Sequence, residues 1–210
     1  MPASIVVQKP VVAARQLILL FHGVGSNAQD LVPVGQQFAA NYPDALVVSL
    51  EGLQASDFGQ GRQWFSVMGV TEENRPGRVA AVMQDFRSLI EQLQKTSGVS
   101  AANTTLIGFS QGSIMALEST QTQPALAAHV IAFSGRFASV PTHPAHGTSV
   151  HLIHGDADQV MPVESSRTAA KLLQALGVPV TLDIERDVGH GINARMVSAA
   201  LSKLPSERRN

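Results

Sequence analysis

The sequence predicts an α/β fold in which helices cover both faces of a mostly parallel central sheet. Short apolar, β-prone runs alternate along the chain with segments of helical periodicity. Most of these runs are apolar throughout, as expected for strands that are buried on both faces. The predicted strands are 5–7, 17–21, 45–50, 104–107, 130–133, 150–154 and 180–184.

Five helices are predicted between and after these strands. In segments 79–93 and 192–204 the apolar residues recur at 3.6-residue spacing and so fall on one helical face. Segment 164–176 is followed by a glycine and then a proline, which are common helix stop signals. The remaining two predicted helices are 27–41 and 111–122.

Composition limits the classes of function. The chain of 210 residues is 44% apolar and only 15% charged, which suits one domain, residues 1–210, with a large buried core. With 15 Lys+Arg and 16 Asp+Glu the formal net charge is −1, and no long run of one sign suggests a nucleic-acid partner. Without cysteine, the chain has no thiol for catalysis, disulfides or metal binding.

The N-terminal segment 1–21 resembles neither a secretory signal nor a membrane span. It lacks a basic start, and polar residues and a proline interrupt its apolar stretches, whereas a span needs about 20 consecutive apolar residues. We therefore expect a cytoplasmic protein without stable membrane insertion. The C-terminal residues 205–210 are expected to fray.

A candidate nucleophile lies between predicted strand 104–107 and predicted helix 111–122. The stretch Gly108-Phe109-Ser110-Gln111-Gly112 matches G-x-S-x-G in the strand–turn–helix context that this motif requires. Small neighbours let the two elements pass closely while the hydroxyl stands clear of the sheet. The alternative is a serine that only caps the helix. The context favours Ser110 as a nucleophile.

A serine nucleophile needs a base, and the base needs an orienting acid. In sheets of this type the expected order along the chain is Ser, Asp or Glu, and then His. His190 lies between two glycines in the loop after strand 180–184 and is the candidate base. Asp156 and Asp158 follow strand 150–154 and compete as the acid, whereas Asp187 is too near His190 in sequence.

Other histidines are weaker candidates. His22 and His154 each precede a glycine at a strand end, where we expect a local turn role. His143 and His146 could bind a metal ion, but no paired acidic ligand is nearby, so no metal site is predicted.

Acyl transfer also needs hydrogen-bond donors for the oxyanion. One is expected from the serine motif itself, the backbone N–H of Gln111 at the start of the helix. The second is expected after strand 17–21, where Val24 lies between Gly23 and Gly25. The two glycines would turn the chain whether or not the loop binds an oxyanion.

The same loop supports a competing interpretation. Gly23, Gly25 and Ala28 satisfy the G-x-G-x-x-G/A fingerprint of dinucleotide-binding folds. Glu51 ends the next strand, where a ribose-binding acid would stand. A nucleotide-binding oxidoreductase leaves the serine motif and the candidate acid and base unexplained, so we favour a hydrolase. A non-catalytic binding protein with the same fold is a third possibility, against which the presence of all three residue types argues.

With these residues assembled, the sequence resembles the phospholipase/carboxylesterase family of α/β-hydrolases, which includes acyl-protein thioesterases and small bacterial serine esterases. The resemblance covers nearly the whole chain and is carried by LILLFHGVGSN, GRQWFSV, LIGFSQGSIMAL, HLIHGDADQVMP and VGHGI. It implies the α/β-hydrolase fold and a serine hydrolase that cleaves carboxylic esters or thioesters without a cofactor. By resemblance Ser110 is the nucleophile, His190 the base and Asp158, rather than Asp156, the acid. It also implies the two oxyanion donors named above.

The resemblance indicates three substrate-contacting residues. Segment 61–65, GRQWF, is similar to a family segment beside the acyl site, so Trp64 and Phe65 would line that site, although a core role suits both equally well. Met161 is the third candidate. Loop 134–148 departs from the family pattern and leaves the natural substrate open. We expect a small-molecule or acyl-chain ester as substrate, and a monomer or homodimer.

Overall fold

The computed structural model describes residues 4–143 and 147–205 and contains the predicted α/β architecture. All seven predicted strands are present, with ends within two residues of those expected. The strands are β1 (Ser4–Gln8), β2 (Gln16–Phe21), β3 (Ala45–Leu50), β4 (Gln54–Ala55), β5 (Arg62–Gln63), β6 (Thr104–Phe109), β7 (His129–Phe133), β8 (Ser149–Gly155) and β9 (Val180–Glu185).

Within the described residues the α-helices are α1 (Val32–Asn41), α2 (Arg75–Ser97), α3 (Gln111–Ser119), α4 (Glu164–Ala175) and α5 (Ala194–Lys203). The predicted helix 27–41 is divided, because a 3-10 turn, Ala28–Leu31, precedes α1. The predicted helix 111–122 ends early at Ser119. There the hydroxyls of Ser119, Thr120 and Thr122 bond to main-chain carbonyls three residues back and compete with continued helix.

The main sheet has the order β1-β3-β2-β6-β7-β8-β9, and every neighbouring pair is parallel except β1 with β3. β1 is an edge strand with a register irregularity between Val6 and Gln8. Only residues 9–15 link it to β2, which is shorter than a parallel crossover requires. The mostly parallel sheet that the sequence predicts is confirmed.

The strand order creates a topological switch point. From β2, β3 lies on one side and β6 on the other, so the loops that follow β2 and β6 diverge there. In open α/β sheets, ligands bind in the crevice outside the carboxyl ends of the strands at such a point. The loop after β2 is the Gly23–Gly25 loop, and the turn after β6 carries Ser110.

Helices cover both faces of the sheet, as predicted, and each face has its own apolar core. One core includes Phe21, Trp64 and Phe86, whose rings lie 4.8 to 5.6 Å apart between centroids. The other includes Phe38 and Phe133. The two cores hold the sheet between them and so fix the positions of the loops at its carboxyl edge.

The segment 51–75, predicted only as a loop, contains a small hairpin. In it β4 pairs antiparallel with β5, Gln54 opposite Gln63. The backbone is tightly packed here, since a Cβ on Gly52 would lie 2.6 Å from the carbonyl oxygen of Gln63. Among the helices of the described ranges, none is both long and apolar enough to cross a membrane.

Candidate active site

Ser110 lies in the sharp turn between β6 and α3. Its φ of 51° and ψ of −113° are strained for a residue with a side chain. Two glycines permit the turn. A Cβ on Gly108 would lie 2.4 Å from the amide nitrogen of Ser113, and one on Gly112 would lie 2.0 Å from the carbonyl oxygen of Phe21. The Ser110 side chain makes no capping bond to α3. The structure thus does not support a capping role for this hydroxyl.

His190 lies between Ser110 and Asp158. Its Nε2 is 2.9 Å from Ser110 Oγ, and its Nδ1 is 2.7 Å from Asp158 Oδ2. The carboxylate only accepts hydrogen bonds, so Nδ1 carries the ring proton and Nε2 is left to accept one from the serine hydroxyl. The ring also packs against Phe109, with centroids 5.0 Å apart. This is the geometry that proton transfer from serine to histidine requires.

The Asp158 side chain is completely buried, whereas that of His190 is 16% exposed. Asp158 Oδ1 accepts hydrogen bonds from the amides of Val160 and Met161 at 2.9 and 2.8 Å. Burial is the largest influence and raises the pKa of Asp158. The bonds from Met161, His190 and Val160 together outweigh it and leave this pKa below its ordinary value. Asp158 is therefore ionised at neutral pH.

Asp156 has a different role. It is exposed, and its Oδ1 accepts a hydrogen bond from the amide of Asp187 at 2.7 Å, which ties together the loops after β8 and β9. The structure brings Asp158, and not Asp156, to His190. Position therefore favours Asp158 over Asp156 as the acid.

His154, for which we expected a local turn role, instead lies behind Asp158. The ring is fully buried, with Nδ1 2.7 Å from Ser166 Oγ and Nε2 2.7 Å from the carbonyl oxygen of Met161. Nε2 is also 3.3 Å from Asp158 Oδ2. The sequence offered no specific signal for this contact, because four-residue spacing brings side chains together on a helix and not at the end of a strand.

The two expected oxyanion donors lie on either side of the switch point. Val24 is exposed in the loop after β2, and Gln111 is buried at the first position of α3. Across the described ranges, neither backbone N–H donates to another backbone group. The first N–H groups of a helix have no acceptor within it, so that of Gln111 is available to a ligand.

The Gln111 side chain binds the segment that contains Trp64 and Phe65. Its Oε1 accepts a hydrogen bond from the Trp64 amide at 2.8 Å, and its Nε2 donates to the Phe65 carbonyl at 2.7 Å. The indole N–H of Trp64 donates to the carbonyl of His22 at 2.8 Å, immediately before Gly23. This segment thus ties the start of α3 to the loop after β2.

The candidate substrate contacts differ in accessibility. Trp64 and Phe65 are buried in the core between the sheet and α2, so the structure gives them the core role and leaves no exposed surface for a ligand. Met161 is partly buried and packs at the edge of the same core. Of the three, Met161 alone is partly accessible.

The groups of the dinucleotide fingerprint are used within the chain. Glu51 Oε1 accepts a hydrogen bond from the Ala28 amide at 3.1 Å, and the Gly25 amide donates to the Arg62 carbonyl at 2.8 Å. Two N–H groups that would face a pyrophosphate are thus occupied, as is one oxygen of the acid that would bind a ribose. Its other oxygen, Oε2, is buried and has no hydrogen-bond partner among the described residues. The geometry of this loop does not favour a nucleotide site.

The metal site considered for His143 and His146 cannot be described, because His146 lies outside the described residues. His143 Nδ1 is 3.0 Å from the hydroxyl of Thr142. Residues 4–143 and 147–205 contain no group of three or more potential ligands placed to hold a metal ion.

Comparison with known proteins decides the class. Residues 2–206 match the phospholipase/carboxylesterase family. The chain belongs to this family. It is 50% identical over 199 residues to esterase YpfH of Escherichia coli (strain K12), covering 95% of this chain and 86% of that one. The structure is similar to that of esterase PE8, with a TM-score of 0.84 and 29% identity over 96% of both chains. It also shares its fold with the Bacillus cereus carboxylesterase, with a TM-score of 0.81, 20% identity and coverage of 97% and 93%.

Family membership confirms the predicted resemblance, the α/β-hydrolase fold and the carboxylesterase class of enzyme. It does not favour the nucleotide-binding oxidoreductase or the non-catalytic binding protein.

Proposed function

We propose that this protein is a serine carboxylesterase that forms an acyl-enzyme on Ser110. The observation that supports it most is the continuous hydrogen-bonded series from Ser110 Oγ through His190 to a buried Asp158, at 2.9 and 2.7 Å, in a member of an esterase family. This arrangement activates a hydroxyl that is otherwise a weak nucleophile.

The reaction proceeds in two halves. His190 Nε2 takes the proton of Ser110 as Oγ attacks the ester carbonyl, and the imidazolium then protonates the departing alcohol or thiol. In the second half His190 takes a proton from water, which attacks the acyl-enzyme, and then returns that proton to Ser110 Oγ as the bond between Oγ and the acyl carbon breaks and the acid is released. The ionised Asp158 holds the Nδ1 proton of His190 and stabilises the imidazolium in both halves.

The oxyanion of each tetrahedral intermediate is bound by the backbone N–H groups of Val24 and Gln111. Both belong to loops at the switch point, and that of Gln111 also lies at the positive end of the α3 dipole. Every step of this scheme uses groups of the chain itself.

Apolar side chains at the carboxyl edge of the sheet favour an apolar ester or thioester. Val24 and Val160 are exposed in the loops that carry the oxyanion donor and the acid, and Phe58 and Met68 are exposed in the segment 51–75. We assign Met161 as a further substrate contact, since it follows the acid and is partly exposed. Burying such surfaces against an acyl chain stabilises the complex by about 25 cal/mol per Å².

The experiment is a chain-length series of aryl esters and acyl thioesters on the wild type and on Ser110→Ala. The variant should lose about 10⁴-fold or more in kcat/KM, because nothing replaces the nucleophile. Ser119→Ala is the matched control. It removes another buried serine of α3, whose hydroxyl bonds, among the residues that the structure describes, only to the Ala116 carbonyl, and it should keep wild-type turnover. Equal turnover by the wild type and Ser110→Ala would rule out this mechanism.

Two further proposals, on cellular location and on assembly, rest on the sequence. We propose a cytoplasmic enzyme that is a monomer or homodimer. Cell fractionation tests the first statement, and light scattering coupled to size-exclusion chromatography tests the second.

A further inference from the structure

Asp158 contacts histidine rings on two sides. The same oxygen, Oδ2, is 2.7 Å from Nδ1 of His190 and 3.3 Å from Nε2 of His154. The proposed mechanism uses only His190. His154 ends β8, four residues before the acid, and its side chain has no exposed surface.

The hydrogen bonds of His154 determine which of its nitrogens carries the proton. The Met161 carbonyl can only accept, so Nε2 at 2.7 Å is the donor. Nδ1 of the neutral ring can then only accept, and it does so from the hydroxyl of Ser166 at 2.7 Å. The Met161 carbonyl thus sets the tautomer that directs N–H toward Met161 and Asp158, and the hydroxyl of Ser166, fully buried on α4 and also 3.3 Å from the Gly135 carbonyl, supports it by donating to Nδ1.

His154 acts on the acid by two routes. Its N–H edge carries positive partial charge and lies against Asp158 Oδ2 directly. It also fixes the peptide of Met161 by binding the carbonyl, and the amide of that residue donates to Asp158 Oδ1 at 2.8 Å. Loss of His154 would free both the loop that supplies this amide and one side of the carboxylate.

We propose that His154 is a positioning residue of this esterase, which, with Ser166 bonded to its other ring nitrogen, holds the carboxylate of Asp158 in line with His190. This inference rests on the proposed function, because it assigns His154 to the same reaction. His154 does not touch the substrate or the reacting atoms, and it acts only through Asp158.

His154 performs this role as a neutral donor. Burial lowers its pKa, and the opposing effects of the Met161 carbonyl and Asp158 do not cancel that shift. The titratable groups that face the ring are Asp158 and His190, and α4 contributes the uncharged Ser166. A neutral ring leaves the negative charge of Asp158 to stabilise the imidazolium of His190.

Removal of this donor has a predictable effect on pH dependence. Without the N–H of His154, Asp158 Oδ2 loses a donor and the carboxylate is no longer held in line with His190. The acid limb of the kcat/KM profile should therefore shift by about half a pH unit. A residue that only stabilises the fold would lower the amount of active enzyme and leave the limb in place.

The test measures pH profiles for His154→Phe, His154→Gln and Ser166→Ala, with sites counted by complete labelling with a fluorophosphonate probe. His154→Phe should lower kcat about 10- to 100-fold per labelled site, with KM within about twofold, and should shift the acid limb. His154→Gln keeps an N–H at the reach of Nε2 and should recover part of both effects. Ser166→Ala should move the limb in the same direction by less.

His151→Phe is the matched control, because it removes another buried histidine of β8 that makes no contact with the triad. It should lose stability and keep the wild-type acid limb. An unchanged limb and kcat in His154→Phe, or a Gln variant no better than the Phe variant, would overturn the inference. If His154→Phe does not fold, the pH profile of Ser166→Ala is the deciding measurement. An unshifted acid limb in that variant would count against a positioning role for His154. Failure of the wild type itself to label or turn over esters would instead reject the proposed function.

Discussion

Histidines that are buried or partly buried lie toward both ends of the central sheet, and their surroundings differ. At the carboxyl edge, each ring nitrogen of His22, His154 and His190 has a hydrogen-bond partner. Toward the amino edge, His129 and His151 stack with ring centroids 5.7 Å apart. In the described part of the chain, His129 Nδ1 and His151 Nε2 have no partner.

The comparison of the two edges shows that burial of a histidine does not by itself indicate a functional role. Burial lowers the pKa of His22, His129, His151 and His154 alike, so a shifted pKa does not distinguish the two ends. What distinguishes the carboxyl edge is an ionised carboxylate and a hydroxyl placed on opposite nitrogens of one ring, His190. Its partners, rather than burial, thus set His190 apart as the proposed base.

The largest expected effect comes from taking the carboxylate away from His190. In Asp158→Asn the amide N–H₂ faces Nδ1, so the ring keeps its proton on Nε2 and cannot accept one from Ser110. We expect kcat to fall about 10⁴-fold, or about 5 kcal/mol of transition-state stabilisation, in steady-state ester hydrolysis.

Asp156→Asn is the control for that variant, on the same loop. Its side-chain oxygen still accepts the bond from the Asp187 amide, so activity should stay within about twofold of wild type. A comparable loss in both variants would show that the loop, and not the carboxylate of Asp158, matters.

The second expected effect concerns His151, near the amino edge of the sheet, which should affect the stability of the fold and not the activity. Burial, together with His129 and Lys203, lowers the pKa of His151 to about 4, below the value of 6.5 for an unfolded histidine. Between these values the unfolded chain binds more protons, so the free energy of unfolding falls as pH drops from 6.5 to 4. The loss attributable to His151 is about 3 kcal/mol.

Denaturant unfolding of the wild type and His151→Leu at pH 7 and pH 4 measures this difference. The variant should lose less stability between the two pH values, while its turnover per active site at pH 7 matches the wild type. An identical pH dependence in both proteins would contradict a buried, neutral His151.

The smallest expected effect concerns Glu118, a carboxylate outside the site that can be compared with Asp158. Glu118 on α3 resembles Asp158 in accepting two backbone N–H bonds, from Ala138 and Ser139 at 2.6 and 2.9 Å. Unlike Asp158, it has no histidine or other cationic side chain bonded to it within the described part of the chain. Burial raises the pKa of Glu118 more than these bonds lower it. Glu118 therefore adds to the free energy of unfolding fully below the pKa that it has in the unfolded chain. This stabilisation is lost as pH rises through its higher pKa in the folded protein.

Glu118→Gln keeps an acceptor for both amides and does not titrate. We expect a small gain in the free energy of unfolding at pH 7, and a smaller one at pH 4, from urea titrations at the two pH values. A loss of stability at pH 7 would mean that the negative charge itself is needed to hold the loop after β7.

The sequence predicted what depends on local pattern. Apolar runs place the parallel strands, and the glycines around Ser110 predict its turn because a side chain at Gly108 or Gly112 would collide with main-chain atoms. The sequence could not predict that β1 runs antiparallel to β3, because nothing in residues 5–7 indicates which strand they pair with. The short connection 9–15 and the position of β3 decide it.

Contacts between distant residues were beyond the sequence alone. Asp156 and Asp158 differ by two positions, and the Asp187 amide, 31 residues from Asp156, is what occupies the first of them. His154 looks like any histidine at a strand end until α4 brings Ser166 to it. Which candidate faces the site is decided where separate loops meet at the edge of the sheet.

The Gln111 side chain has a consequence for attempts to alter substrate range. One amide group holds the main chain of residues 64–65, while the backbone of the same residue supplies the proposed oxyanion donor. Replacing segment 51–65 with a foreign segment would therefore remove contacts that hold the turn of Ser110 and Gln111. Chimeras that carry residue 111 together with the graft should retain turnover more often than those that exchange the loop alone.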